Sequence, residues 1–144
     1  MAKKETATAE VEIAAPAAEV WARIRDFDGM PGWHPGVEAS TTEGEGEGAV
    51  RTLTMGDGST VVERLDRFDD PGRSYRYSIV ESRLPVTSYA ATLRVEELGD
   101  DRCRVAMVGE MTPVEGVPGP ELATAVAGFY RAGLEQLRRL FEAP

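Results

Sequence analysis

The chain has 144 residues, 42% hydrophobic and 28% charged, which suits one packed core and excludes an unfolded polar chain. Its formal charge of −9 and pI near 4.7 oppose a phosphate backbone, and with no basic stripe to offset them nucleic acid is excluded as a partner. No apolar run approaches the ~20 residues that cross a bilayer, and no apolar stretch follows the early lysines as in a signal peptide, so a cytoplasmic protein without stable membrane insertion is expected.

Taken in chain order, "ATAEVEI" alternates over 7–13 and reads as a first strand. Pro16 suits the first turn of a helix, in which Val20, Ile24 and Phe27 recur at helical spacing. "DGMPGWHPG" is dense in breakers and has room for one helical turn, so two short helices separate the first two strands. "VEAST" makes the second strand and "EGEGEG" a solvated acidic loop. Five further strands lie near 49–55, 60–69, 74–82, 87–97 and 102–112, with turns at "GDGS", "DDPG", "SRLPV" and "GDDR". Short gaps make the sheet an antiparallel meander. From Pro120 onward, Leu122, Val126, Phe129, Gly133, Leu137 and Leu140 form one stripe of a helix about 24 residues long. Gly128 and Gly133 each cost such a helix ~1 kcal/mol relative to Ala, and close approach of helix and sheet is the reason expected for both. The fold class is therefore α+β. A single domain over 1–144 wraps a seven-stranded curved antiparallel sheet around the C-terminal helix, with room for a small molecule between them.

Chemistry-bearing residues are few. Cys103 is the one cysteine, so no intrachain disulfide forms, and within "RCRVAM" it reads as a buried strand thiol rather than a nucleophile. His34 is the one histidine, which rules out a multi-histidine metal site, and no metal is expected. No "GxSxG", phosphate loop or dinucleotide fingerprint is present, and no cofactor is expected.

"RTLTMGDGSTVVERLDRF" (51–68) is a hairpin with two charges out of place. If its loop is Asp57-Gly58-Ser59, with Gly56 facing Thr60, then Arg51, Leu53 and Met55 share the apolar face with Val61, Glu63 and Leu65. A slip of one residue would instead bury Thr52 and Thr54. Arg51 and Glu63 become diagonal neighbours on the inner face. Tyr75, Tyr77 and Ile79, then Tyr89, Ala91, Leu93 and Val95, and finally Cys103, Val105, Met107, Gly109 and Met111 complete that face. Unpaired buried ions cost several kcal/mol each. The pair is thus either a structural bridge at a wet sheet end or the polar fixture of a ligand pocket.

"VEIAAPAAEVWARIRDFDGMPGWHP", "GAVRTLTMGDGSTVVERLDRFDD" and "YSIVESRLPVTSYAATLRV" resemble the START-like helix-grip (SRPBCC) superfamily, and within it the bacterial polyketide cyclase/dehydrase-type proteins related to the Bet v 1 fold. The likeness runs from about 9 to 141. "ERLD" at 63–66, the following "DD" and the "RL" ahead of Tyr89 resemble the plant abscisic-acid receptors. That resemblance implies a water-mediated ligand contact for Glu63 and pocket-wall roles for Tyr77 and Tyr89. It puts His34 where those receptors keep a lysine, and "GDGS" and "SRLP" on their gate and latch loops. The gate here lacks their proline-containing sequence, the segment before Tyr89 is longer, and Met107 replaces a second pocket acid. The resemblance therefore implies a cavity of the same plan with different chemistry, not a hormone receptor.

The expected ligand-binding set is Trp33, His34, Arg51, Leu53, Glu63, Tyr77, Tyr89, Met107 and Phe129. Each also has a plain structural role open to it. His34 suits an exposed loop as well as a pocket rim, Trp33 a helix–sheet corner, and the others a dry core. The expected partner is a hydrophobic small molecule, lipid or polyketide-like, and an exposed edge strand would permit a homodimer. The alternative is a polyketide cyclase/dehydrase-like enzyme with Glu63 or His34 as base and a tyrosine as donor.

Overall fold

A computed structural model describes residues 3–142. The elements are β1 (Glu5–Ile13), α1 (Ala17–Ile24), a 3-10 turn (Met30–Gly32), β2 (Val37–Glu43), β3 (Val50–Met55), β4 (Thr60–Asp69), β5 (Ser74–Glu81), β6 (Val86–Gly99), β7 (Arg102–Pro113) and α2 (Gly119–Glu142). The strands form one antiparallel sheet of seven in the order β1-β7-β6-β5-β4-β3-β2. Apart from the pairing of β1 with β7, every neighbour in that order is a neighbour in sequence. The helix-grip fold expected from the alternation pattern is thus the fold observed.

The two helical pieces ahead of β2 differ in kind. Pro16 is the residue before the first helical turn rather than within it, and its carbonyl accepts from Glu19 N (3.1 Å) and Val20 N (3.2 Å). α1 buries Val20, Trp21 and Ile24, and Trp21 Nε1 donates to Asp70 Oδ1 at 2.7 Å, tying the helix to the β4–β5 turn. Phe27 lies beyond the helix, buried, with its carbonyl free for another use. The second piece is a single 3-10 turn.

The β3–β4 hairpin corrects the expected register. Met55 N donates to Ser59 O (2.8 Å) and Gly58 N to Met55 O (2.9 Å), so the loop is Gly56-Asp57-Gly58, closed by Gly58 at φ +87°. Thr54 faces Thr60 and Arg51 faces Glu63 directly, rather than diagonally. The offset from the expected register is two residues. Side chains alternate with period two, so no residue changed face.

Register shifts in the β4–β5 pairing, between Val62 and Glu63 and between Leu65 and Arg67, bend the sheet. The pairing of β5 with β6 stops at Ser78↔Ala90. Beyond that point the two strands part, and the Ser82–Pro85 segment bridges them. α2 lies closest to β1 and β7 and stands away from β3, β4 and β5. That asymmetry leaves a gap on one side of the helix.

The helix stripe also differs from expectation. The buried positions are Gly119, Leu122, Ala123, Val126, Tyr130, Gly133, Leu134 and Leu137. Phe129 is half-buried and Leu140 is exposed, so the stripe runs through Tyr130 and Leu134 instead. Gly133 admits a close neighbour, but that neighbour is the His34 ring, not the sheet. Gly128 has nothing within 4 Å of a would-be Cβ, so close approach does not explain it. Cys103 is fully buried, and burial pushes its thiol pKa up.

Candidate ligand cavity

The gap beside α2 is a cavity of about 320 Å³. Its walls are Met55, Ser59, Thr60, Val61 and Glu63 from the β3–β4 hairpin, Ile79 from β5, Tyr89 from β6, and Ala125, Val126 and Phe129 from α2. Asp57, Ser82, Arg83 and Leu84 border it from the two loops. Most of these side chains are apolar. The size falls at the lower end of the ~300–1,000 Å³ range of small-molecule sites.

One charged side chain on the wall is buried. Glu63 is 6% exposed, and it accepts a hydrogen bond from Arg51 Nε at 2.8 Å and pairs with the terminal Nη2 at 2.7 Å. Both go to Oε1. No other hydrogen bond reaches the carboxylate among the described residues. Glu63 lines the cavity, so its carboxylate is the buried charge on that wall.

Arg51 itself is 1% exposed and absent from the cavity wall. Its Nη1 donates to Phe27 O at 2.8 Å, and its guanidinium carbon sits 4.0 Å from the Phe27 ring centroid and 5.0 Å from that of Tyr77. The segment after α1 therefore supplies both the carbonyl and the ring that hold the cation behind the wall. Burial works against the Arg51 charge, but the Glu63 carboxylate and the phenols of Tyr75 and Tyr77 outweigh it, so its pKa rises. Burial pushes the Glu63 carboxyl above the usual carboxylate range, offset in part by Arg51. Glu63 stays ionised near neutrality, because its protonation would leave a permanently charged guanidinium buried alone.

Above the carboxylate lies a group of phenols. The Tyr89 and Tyr130 hydroxyls share a hydrogen bond, and Tyr77 packs 6.5 Å from Tyr89, centroid to centroid. Burial raises all three pKa values, most strongly for Tyr77 and Tyr89, so they remain protonated donors. A Cβ at Gly109 in β7 would overlap the Tyr130 hydroxyl and lie 3.1 Å from Cζ, so glycine there makes room for the pair.

The sequence-derived candidates fall into two groups. Glu63, Tyr89 and Phe129 border the cavity. Arg51, Leu53, Tyr77 and Met107 are buried on the inner face, but none of them is on the cavity wall. Trp33 is buried, with its Nε1 unpartnered. His34 is buried rather than exposed, as a clasp between loop and helix. Its Nε2 meets Phe129 O at 2.8 Å, Gly36 N donates to its Nδ1 at 3.0 Å, and its ring stacks on Phe129 at 4.1 Å. Nδ1 accepts, so Nε2 carries the proton and donates to the helix carbonyl. Both ring nitrogens are occupied, and neither faces the cavity. Burial lowers the His34 pKa, with the Phe129 carbonyl opposing in part.

Tyr130 is the polar neighbour that sequence reading missed. Its signal was present in the four-residue steps Leu122, Val126, Tyr130, Leu134. Among the described residues no three His, Cys, Asp or Glu side chains gather as metal ligands, and no helix is long and apolar enough to cross a membrane.

The polyketide cyclase / dehydrase and lipid transport family matches residues 4–142. No curated protein matches. Among solved structures, protein XoxI from Bacillus cereus is 35% identical, with 99% of this chain and 97% of that one covered at a TM-score of 0.90. A putative uncharacterized protein from Bacillus thuringiensis is 36% identical, with 95% and 98% covered at a TM-score of 0.89. Norcoclaurine synthase from Thalictrum flavum, solved with dopamine and hydroxybenzaldehyde, is 22% identical, with 96% and 87% covered at a TM-score of 0.73, a likeness of fold alone. With residues 4–142 matched and its sheet gripping one long helix around a cavity, the chain belongs to the polyketide cyclase / dehydrase and lipid transport family of the Bet v 1-like, START-like superfamily.

Proposed function

We propose that the protein binds an apolar or amphipathic small molecule in the cavity between α2 and strands β3–β6. The apolar part lies against Val61, Ile79, Leu84, Val126 and Phe129, and the polar end meets Glu63 and Tyr89. The observation that carries this reading is the Glu63 carboxylate, a buried charge on the cavity wall, held by Arg51 through Oε1 alone.

A second reading has support of its own. A buried carboxylate with a raised pKa beside protonated phenols is the equipment for proton abstraction with oxyanion stabilisation, the chemistry of cyclisation or dehydration. In that case Glu63 is the base and a tyrosine the donor.

The test is a titration with 2-ethylnaphthalene followed by methyl NMR, beside native mass spectrometry of the protein as purified. Occupation of the cavity shifts Met55, Val61, Ile79 and Val126 while the exposed methyls of Val108 stay still. Shifts confined to exposed valines, with no co-purified molecule, would refute the proposal. Glu63→Gln then separates the two readings. A carrier shows altered affinity, whereas an enzyme loses turnover with little loss of binding.

A further inference from the structure

We infer that the cavity is selective for neutral ligands carrying a hydroxyl or N–H donor and rejects carboxylates and other anionic head groups. The inference rests on the binding function proposed above and adds the chemical class of the ligand.

It follows from which half of the ion pair meets the cavity. Arg51, the natural partner of an acidic ligand, is behind the wall, with its guanidinium engaged by Glu63 Oε1 and Phe27 O and packed against two rings. Turning toward the cavity would break all of these contacts and strand the carboxylate. What the ligand meets is the Glu63 carboxylate, whose Oε2 Arg51 does not engage and whose ionised oxygens accept and cannot donate. A carboxylate or phosphate placed there would oppose a like charge in a buried setting.

A cation is disfavoured for a different reason. Arg51 already neutralises Glu63, so an ammonium would enter without a counter-charge of its own. A neutral donor satisfies Oε2 and adds no net charge. Its own oxygen then has a partner in Tyr89, which borders the cavity and keeps its O–H to give when it accepts from Tyr130.

Arg83 is the guanidinium that does border the cavity, but it stands exposed at the mouth, with Asp57 close enough to feel its charge. An acid could be held there only with its tail inward and Oε2 left unmet.

The experiment compares four probes on one ring system: 2-ethylnaphthalene, 2-(2-naphthyl)ethanol, 2-(2-naphthyl)ethylamine as its ammonium, and 2-naphthylacetate. Each is titrated against the wild-type protein at neutral pH, with the Met55, Ile79 and Val126 methyls as reporters. The alcohol is expected to bind tightest, with the acetate weaker than the alcohol by about tenfold or more and the ammonium also weaker. Glu63→Gln keeps an oxygen for Arg51 and turns an amide N–H₂ to the cavity, so the acetate gains on the alcohol in that variant. If the hydrocarbon binds but either charged probe equals the alcohol, the selectivity is refuted and the cavity function stands. Acetate binding that is tight and lost in Arg83→Ala likewise refutes it, by placing the acid at the mouth. If no probe moves the cavity methyls, both the selectivity and the binding function fail. The wild-type series decides the matter even if Glu63→Gln folds poorly.

Discussion

Gly133 is glycine because of His34. A Cβ at position 133 would overlap His34 Cδ2 and lie 2.9 Å from Nε2, the atom that donates to Phe129 O one turn earlier in the same helix. The imidazole can reach a helix carbonyl only where the helix has no side chain. The ring cannot yield, being fixed by bonds at both nitrogens and by stacking on Phe129. Gly128 faces open space. Gly133→Ala is therefore expected to destabilise by about 1–3 kcal/mol, an overpacking cost that exceeds its gain in helix propensity. Gly128→Ala should stabilise by up to about 1 kcal/mol. Urea unfolding of the two variants should give opposite signs, and equal signs would contradict the packing described.

The same clasp makes stability depend on pH. Burial lowers the His34 pKa below its unfolded value of about 6.5, so the fold prefers the neutral ring. A depressed folded pKa contributes stability that is present above the unfolded value and lost as pH falls through the folded one. Protonation would also put a hydrogen on Nδ1, where Gly36 N–H already points. The difference in unfolding free energy between wild type and His34→Gln should therefore shrink as pH drops below about 6.5. A difference that stays constant from pH 8 to pH 5 would show that His34 does not titrate in the way its surroundings require.

Removing one partner of the Arg51–Glu63 pair leaves the other buried and uncompensated. Arg51→Met is expected to cost about 3–5 kcal/mol, and the double variant Arg51→Met/Glu63→Leu to recover most of it. Burial raises the Glu63 pKa, so the stability linked to this group is complete below the unfolded value of about 4.3 and declines as pH rises through the folded value. In Arg51→Met the carboxyl loses its cation and its pKa climbs further. The deficit of that variant relative to wild type should accordingly narrow in acid, where the carboxyl is buried neutral. Urea unfolding across pH measures it.

The fold was legible because alternation of period two persists through every strand, and because Pro, Gly and Asp mark the turns. The two-residue error at the β3–β4 hairpin did no harm to the inner face for the same reason, since parity alone decides which side a residue faces. Arg51 and Glu63 were readable as inward charges for that reason too. What the sequence did not reveal is which of the two reaches the cavity. That depends on Phe27, 24 positions from Arg51, offering a carbonyl and a ring to the guanidinium. His34 looked like a loop or rim residue because loop composition says nothing about docking onto a helix about a hundred residues later. Tyr130 was hidden by its neighbour Phe129, whose three-residue step suits a helix stripe equally well. The difference of one position decided whether Tyr89 had a partner.

That partner gives the last prediction. Tyr130 reaches Tyr89 over Gly109, at which any Cβ would overlap the Tyr130 hydroxyl. Gly109→Ala should therefore displace the phenol, break the tyrosine pair and destabilise the fold by about 1–3 kcal/mol. Tyr130→Phe removes the overlapping oxygen and leaves Cζ at 3.1 Å and Cε2 at 3.3 Å from the new methyl, tight distances that small shifts relieve. By itself Tyr130→Phe costs about 0.5–1.5 kcal/mol for the lost hydrogen bond. Gly109→Ala/Tyr130→Phe should then be less destabilised than the sum of the single variants, with a coupling of about 0.5–3 kcal/mol measured by a double-mutant cycle in urea. Strict additivity would mean that β7 and α2 do not meet at these two positions, and that glycine at 109 serves some purpose other than admitting the phenol that bonds Tyr89.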